Sequence, residues 1–236
     1  MTEAARPELR VLRLADPAHS WEALGFTARS GDWDIDMNYS RRYPNGPVGI
    51  IHLGGVRLEL GAHGRGITGW TLSGIPSETR EVDGLETALA ERPSAASPQQ
   101  AYAAWNDPEV RHPNGAIAID HVVVTSPDFD RTAAALEAVG MALRRVAASS
   151  DGGRMGFRRL GPAILELVET SRADAGTARF WGLVVVVEDL DALAERLGDR
   201  LGSIRDAVQP GRRIATLRQS AGLAEAVAFM SPERPS

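Results

Sequence analysis

The 236-residue sequence contains no cysteine. That absence removes disulfides, thiolate nucleophiles, sulfur-ligated zinc and iron–sulfur sites together. Lysine is missing as well, so all 26 basic residues are arginine. Schiff-base chemistry and a P-loop lysine are therefore excluded, and an all-arginine basic set points to a GC-rich bacterial genome. Nor is there an excess of positive charge: 26 basic against 31 acidic side chains leave a formal net charge of −5. This argues against a protein built around the phosphate backbone of nucleic acid. No apolar run approaches the roughly 20 residues that span a bilayer, which speaks against a membrane partner. The opening MTEAARPELR has no apolar stretch behind its charges, so a secretory signal is not expected and a cytoplasmic location is. What remains, 43% hydrophobic and 24% charged residues, suits a globular protein able to bury a sizeable core.

The chain repeats itself. Residues 121–136 (HVVVTSPDFDRTAAAL) lie over residues 182–197 (GLVVVVEDLDALAERL) at an offset of 61, with Asp128 on Asp189, Asp130 on Asp191 and Leu136 on Leu197. Each copy reads as a β-branched strand, an acidic turn that can cap a helix, and an Ala/Leu-rich helix. A second repeat joins the two halves: LGGVRLEL at 53–60 matches LGPAILEL at 160–167, an offset of 107 that places Glu59 over Glu166. Ala23-Leu24-Gly25-Phe26 parallels Ala138-Val139-Gly140-Met141, a helix ending at a glycine cap. Further on, Trp70 lies over Trp181, and Val82–Arg92 parallels the helical stretch Val187–Arg196.

The simplest organisation is four strand–helix units starting near residues 9, 67, 117 and 179. The first, third and fourth have room for three more strands; the second does not. Pro93–Gln100 reads as a linker, Tyr102–Trp105 as a short helical patch, and His112-Pro113-Asn114-Gly115 as a turn. The expected division is a degenerate half over 1–112 and a complete one over 113–236. The expected class is α+β.

Tandem βαβββ units, an opening IDHVVV strand, a closing ILELVE strand and a second opening FWGLVVVVEDLD resemble the vicinal oxygen chelate superfamily. That group includes glyoxalase I, extradiol dioxygenases, methylmalonyl-CoA epimerase and the bleomycin- and fosfomycin-resistance proteins. The resemblance implies open barrels, each made by two βαβββ units, with a ligand in the concave mouth. It also implies a metal site drawing one ligand from the first and one from the last strand of each unit. Over residues 115–232 the likeness is good, and over 8–92 it is weaker. A fold of this kind hosts many reactions, so function has to be argued from the site.

On that pattern His121 and Glu166 match the histidine and carboxylate of one unit. Strict strand alternation puts Ile117, Ile119, His121 and Val123 on one face, and Ile164, Glu166 and Val168 on one face. The other unit departs from it: Gly182 and Ala228 stand where donors are expected, and Glu225 falls on the opposite face from Ala228. Two protein donors make a poor divalent site. The preferred reading is therefore a small organic ligand held in the C-terminal barrel, in the manner of the resistance-type relatives, with no metal. Gly182 and Ala228 would enlarge that cavity, while Arg213 and Arg218 could stand at its rim for an anionic group. The alternative is a metal-dependent lyase, isomerase or dioxygenase, with His121 and Glu166 as a partial metal site or an acid–base pair. In the N-terminal half Glu59 has the place of Glu166, but the position of His121 falls near Leu9. His52 and His63 lack partners at ligand spacing, and His19 and His112 read as solvated. Trp33, Tyr39 and Tyr43 could lid a pocket. A homodimer is compatible with all of this.

Overall fold

The computed structural model describes residues 6–30, 49–90, 110–149, 152–170 and 176–233. The linker, the Tyr102–Trp105 patch and the aromatics Trp33, Tyr39 and Tyr43 lie outside the described residues.

Two mixed sheets carry the fold. The first is ordered β2-β3-β4-β1-β5-β7-β6, from β1 (Glu8–Leu14), β2 (Arg29–Ser30), β3 (Gly49–Leu53), β4 (Val56–Leu60), β5 (Ile67–Ser73), β6 (Glu81–Val82) and β7 (Leu85–Leu89). The second is ordered β13-β14-β15-β12-β8-β11-β10-β9. Its strands are β8 (Ala116–Ser126), β9 (Arg145–Ala148), β10 (Arg154–Leu160), β11 (Ala163–Glu169), β12 (Arg179–Val187), β13 (Arg205–Asp206), β14 (Arg213–Thr216) and β15 (Ala226–Met230). Helix α1 (Ala18–Glu22) follows β1, α2 (Phe129–Ala138) follows β8, and α3 (Leu190–Leu197) follows β12. None of these helices is long and apolar enough to cross a membrane.

The valine runs of β8 and β12 form the centre of the second sheet, where β-branched side chains are buried on both faces. Both helices behind them start on the aspartates that the repeat picked out. Asp128 accepts from the Arg131 N–H at 3.0 Å, and Asp189 from the Asp191 and Ala192 N–H groups at 2.9 and 3.0 Å. Leu190, Leu193 and Leu197 then bury one face of α3, as 3.6-residue spacing dictates.

Read from opposite ends, the two sheets superimpose in order: β2-β3-β4-β1-β5-β7-β6 follows β9-β10-β11-β8-β12-β15-β14. In each, the first strand pairs in parallel with the last strand of its unit, Arg13 beside Glu59 and Val123 beside Glu166. Glu59 and Glu166 thus occupy equivalent positions. The four units are βαβββ, a degenerate second copy, and two further βαβββ copies.

The second copy is more degenerate than expected. Residues 82–90, aligned with α3, form no helix; β6 and β7 make a tight hairpin instead. Asp83 and Gly84 both have positive φ, 47° and 89°, which is the demand of a two-residue turn between twisted strands. The Asp-Gly pair decides the local structure over the helical composition around it. The β1–β5 and β8–β12 registers also shift two assignments. Trp70 corresponds to Leu183 rather than Trp181, and His121 corresponds to Val11 rather than Leu9. Burial agrees, since Trp70 is fully buried and Trp181 is 55% exposed.

One apolar core runs through both halves. Phe26 stacks on Phe229 at 6.3 Å, and Trp70 meets Phe180 edge-on at 5.2 Å. His112 is buried, contrary to the solvated reading. Its Nδ1 accepts from the Thr27 N–H at 3.0 Å, so Nε2 carries the proton and donates to the His52 carbonyl at 3.0 Å. Burial holds its pKa below the usual histidine range, with the His52 carbonyl opposing that shift.

Candidate functional site

On the face of the second sheet away from its helices lies a cavity of about 480 Å³. Val123 and Thr125 of β8, Glu166 and Val168 of β11, Trp181 and Val184 of β12, and Ile214 and Ala228 contribute to its walls. The lining is mostly apolar, and Glu166 stands in it. No described residue donates a hydrogen bond to the Glu166 carboxylate. Burial raises its pKa above the ordinary carboxylate value, and the nearby His121 opposes that shift.

His121 is not in the wall. It is 4% exposed, beneath the surface, with its ring edge-on to Phe157 at 6.4 Å; Phe157 is the strand partner of Glu166. Strict alternation fails here for a local reason. In the β8–β12 pairing Val184 faces His121 and Val185 faces Ile119, so Asp120 is an extra residue. Such a β-bulge sends two successive side chains toward the same side. Ile119 and Val122 both enter the core, and Asp120 joins His121 on the other face.

Asp120 is the site residue that sequence reasoning missed. His121 Nδ1 stands 2.5 Å from Asp120 Oδ2, a close contact that lacks hydrogen-bond geometry. Arg212, 5% exposed, donates from Nη1 to Asp120 Oδ1 at 2.7 Å and from Nε to the Ser231 carbonyl at 2.8 Å. Burial pushes the Asp120 carboxyl up, but the adjacent His121 and the hydrogen bond from Arg212 outweigh it and hold the group below the usual range. A half-buried ionised carboxylate thus sits against the histidine behind Glu166. The identity Ile-Asp-His was visible in the sequence; the bulge was not.

The remaining candidates fall as follows. Ala228 lines the cavity beside Val184 of β12. Gly182 does not line it: a Cβ there would run into the Ala226 carbonyl oxygen of the adjacent strand. Arg213 makes a two-pronged pair with Asp191 at 2.9 and 2.6 Å, tying β14 to the start of α3. Arg218 is exposed and outside the lining, whereas Arg205 is in it. Glu225 lies just before β15, 8% exposed, next to Asp16 in the bend after β1.

A similarity at the level of the whole chain decides the fold. A xylose isomerase-like TIM barrel/4-hydroxyphenylpyruvate dioxygenase fusion protein matches 99% of this chain at a TM-score of 0.62 and 11% identity. The chain has the vicinal oxygen chelate fold. It spans 50% of the length of that fusion protein. Other vicinal oxygen chelate structures match about half of it. Methylmalonyl-CoA epimerase from Mycobacterium tuberculosis aligns with 53% of this chain and 95% of its own, at 20% identity and a TM-score of 0.45. A Streptomyces coelicolor methylmalonyl-CoA epimerase variant aligns with 49% and 97%, at 20% identity and a TM-score of 0.41. No protein-family model and no curated protein matches the chain.

The metal that this fold often carries does not fit the residues present. Four donors converge in the family's pattern, but here Ala228 offers none and the Gly182 position has no room for one. His121 Nδ1 is already engaged by Asp120. Among the described residues no three His, Asp or Glu side chains group as a metal-ligand set.

Proposed function

We propose that the protein binds a small organic molecule in the Glu166 cavity, with an apolar body and one polar group directed at the Glu166 carboxyl. The observation that carries this is a cavity of about 480 Å³, mostly apolar, whose wall holds Glu166, a carboxyl with no hydrogen-bond donor among the described residues. That volume is within the range of ordinary small-molecule sites. An unpaired carboxyl in an apolar wall is unfavourable until a ligand group meets it. The test uses the neutral apolar dye N-phenyl-1-naphthylamine. Saturable fluorescence enhancement is expected, and Ala228→Trp, which fills the cavity, should weaken it about tenfold, or 1.4 kcal/mol. Absence of saturation, or equal affinity in an Ala228→Trp variant that still melts cooperatively, would overturn the reading.

A second reading is acid–base chemistry on the bound molecule. Its support is the ordered Arg212–Asp120–His121 chain behind a carboxyl whose raised pKa makes it a better base near neutrality. In this reading Glu166 exchanges a proton with the ligand, while Asp120 and Arg212 position His121. Turnover that survives metal chelation and is lost in Glu166→Gln would favour it over simple binding. Tight stoichiometric Mn²⁺, Ni²⁺ or Zn²⁺ binding, lost in His121→Ala, would restore the metal-dependent alternative.

A further inference from the structure

The two sheets differ at three aligned positions around their last-strand glutamates, and each difference bears on charge. In the first sheet Arg13 stands between Gly69 of β5 and Glu59 of β4. Its guanidinium lies against Gly69, where a Cβ would strike Nη2, and the residue is 2% exposed. Arg57, two residues before Glu59, donates to the Glu59 carboxylate. In the second sheet the same ladder positions put Val123 between Gly182 and Glu166, and Ile164 in the place of Arg57. Both arginines are exchanged for apolar residues while the glutamate stays. The third difference is Trp181. A bulge leaves one residue extra at the same point of each sheet, Thr68 before Gly69 and Trp181 before Gly182. A bulge re-aims the side chain it carries. Trp181 lines the cavity and is 55% exposed, so an aromatic face stands at the rim where the first sheet has a threonine.

The first mouth thus holds a planar cation of its own, and the second keeps the space and the carboxylate with apolar residues at both arginine positions. A carboxylate in an apolar wall favours a charged donor, and an indole face attracts a cation as well. We infer that the ligand of the Glu166 cavity is an organic cation, an ammonium or guanidinium on an apolar body, which enters past Trp181 and donates to the Glu166 carboxylate. This rests on the small-molecule reading of the cavity and names the polar group of its ligand. An inorganic cation is a poorer occupant, because it needs more oxygen donors than one carboxylate. Arg205 also lines the cavity, but it is exposed on the edge strand β13, where solvent screens its charge; Glu166 is half-buried.

Three probes of nearly one shape, titrated calorimetrically into the full chain at neutral pH, test the charge. They are cationic 1-naphthylmethylamine, neutral 1-naphthalenemethanol and anionic 1-naphthaleneacetate. The amine should bind about tenfold or more tighter than the alcohol, and the acetate weakest. Glu166→Gln should abolish the amine's advantage over the alcohol. Trp181→Leu should weaken the amine about threefold more than the alcohol, and melting curves would show that both variants fold. Equal affinity for amine and alcohol, or an advantage of the amine that survives Glu166→Gln, would overturn the inference and leave the small-molecule site standing. Tightest binding of the acetate would overturn it too and give charge recognition to Arg205. Equal weakening of amine and alcohol in Trp181→Leu would overturn the part given to the indole. Binding of none of the three would overturn the site itself, and the inference with it.

Discussion

The two sheets run the same strand order, yet where one has a cavity the other, among the described residues, has a buried arginine. In the second sheet Val123, Glu166, Val184 and Ala228 surround open space. Their equivalents in the first sheet are Arg13, Glu59, Thr71 and Ala88. Arg13, 2% exposed, fills the corresponding place, donating to Thr71 Oγ1 at 3.0 Å, the Trp70 carbonyl at 3.2 Å and Glu86 Oε1 at 3.2 Å. Glu59 is neutralised by Arg57 at 2.5 Å, whereas Glu166 has no such partner. The difference rests on a few side chains rather than on the backbone. A duplicated scaffold keeps its geometry under selection for folding, while the mouth is opened or closed by the residue beside the last-strand glutamate.

Gly182 and its counterpart Gly69 mark what both sheets share, and they give the largest expected effect. Each is a glycine because the parallel neighbour's carbonyl, from Ala226 or Glu86, passes too close for a Cβ. Gly182→Ala should cost about 3 kcal/mol in urea unfolding, since only backbone can yield. Gly69→Ala should cost less, because part of its obstruction is the end of the Arg13 side chain. The same geometry rules out rebuilding a four-donor metal site by Gly182→His. If Gly182→Ala is neutral, the close approach is not real.

Exchanging the occupants breaks the comparison directly. Arg13→Val should lower stability by about 2–3 kcal/mol, through the lost charged hydrogen bonds to Thr71, Trp70 and Glu86. Val123→Arg should close the second cavity and cut N-phenyl-1-naphthylamine affinity about tenfold or more. Denaturant midpoints and dye titrations of both variants read the two effects. Retained dye binding in a folded Val123→Arg variant would show that the cavity is not the dye site.

Glu225 tests the seam between the sheets. Burial, with Asp16 beside it, pushes its pKa up to about 9 from an ordinary 4.5. Below 4.5 the folded and unfolded chains both carry the proton. Between 4.5 and about 9 the unfolded chain has released it and the folded chain keeps it, so stability falls as pH rises and levels off above that window. Glu225→Gln should remove this fall and stabilise the protein by about 2 kcal/mol at pH 8, with little gain at pH 4. Guanidinium denaturation across pH measures it. A gain independent of pH would mean that the carboxyl is not the cause.

The smallest effect belongs to Glu166. Its raised pKa has the same sign, with stability lost as pH climbs through the region above the ordinary carboxylate value. Glu166→Gln should therefore stabilise the ligand-free protein by less than about 1 kcal/mol at neutral pH, while removing acid–base function. Destabilisation instead would show that the carboxylate has a structural partner.

How much of this was legible depended on range. Caps and repeats are readable along the chain, so Asp128, Asp189, Glu59 and Glu166 mark the units, though not every register. Bulges are not local. Asp120 and Gly182 are set by what the neighbouring strand does, and period-two reasoning puts Ile119 on the face of His121 and gives Gly182 a place in the cavity. The β6–β7 hairpin is signalled by Asp83-Gly84, but alignment with α3 masks that turn in the sequence. Arg205 had no pattern to distinguish it from Arg213 and Arg218; only the fold shows which arginine reaches the cavity.

The buried Arg13 guanidinium has one more consequence, and it concerns valence. A chain made of two like sheets invites the expectation of two like binding events. With its first mouth stoppered from within, the protein is monovalent toward any ligand of the Glu166 cavity. Titrations of that cavity should saturate at one equivalent per chain, with no cooperativity between sheets to fit.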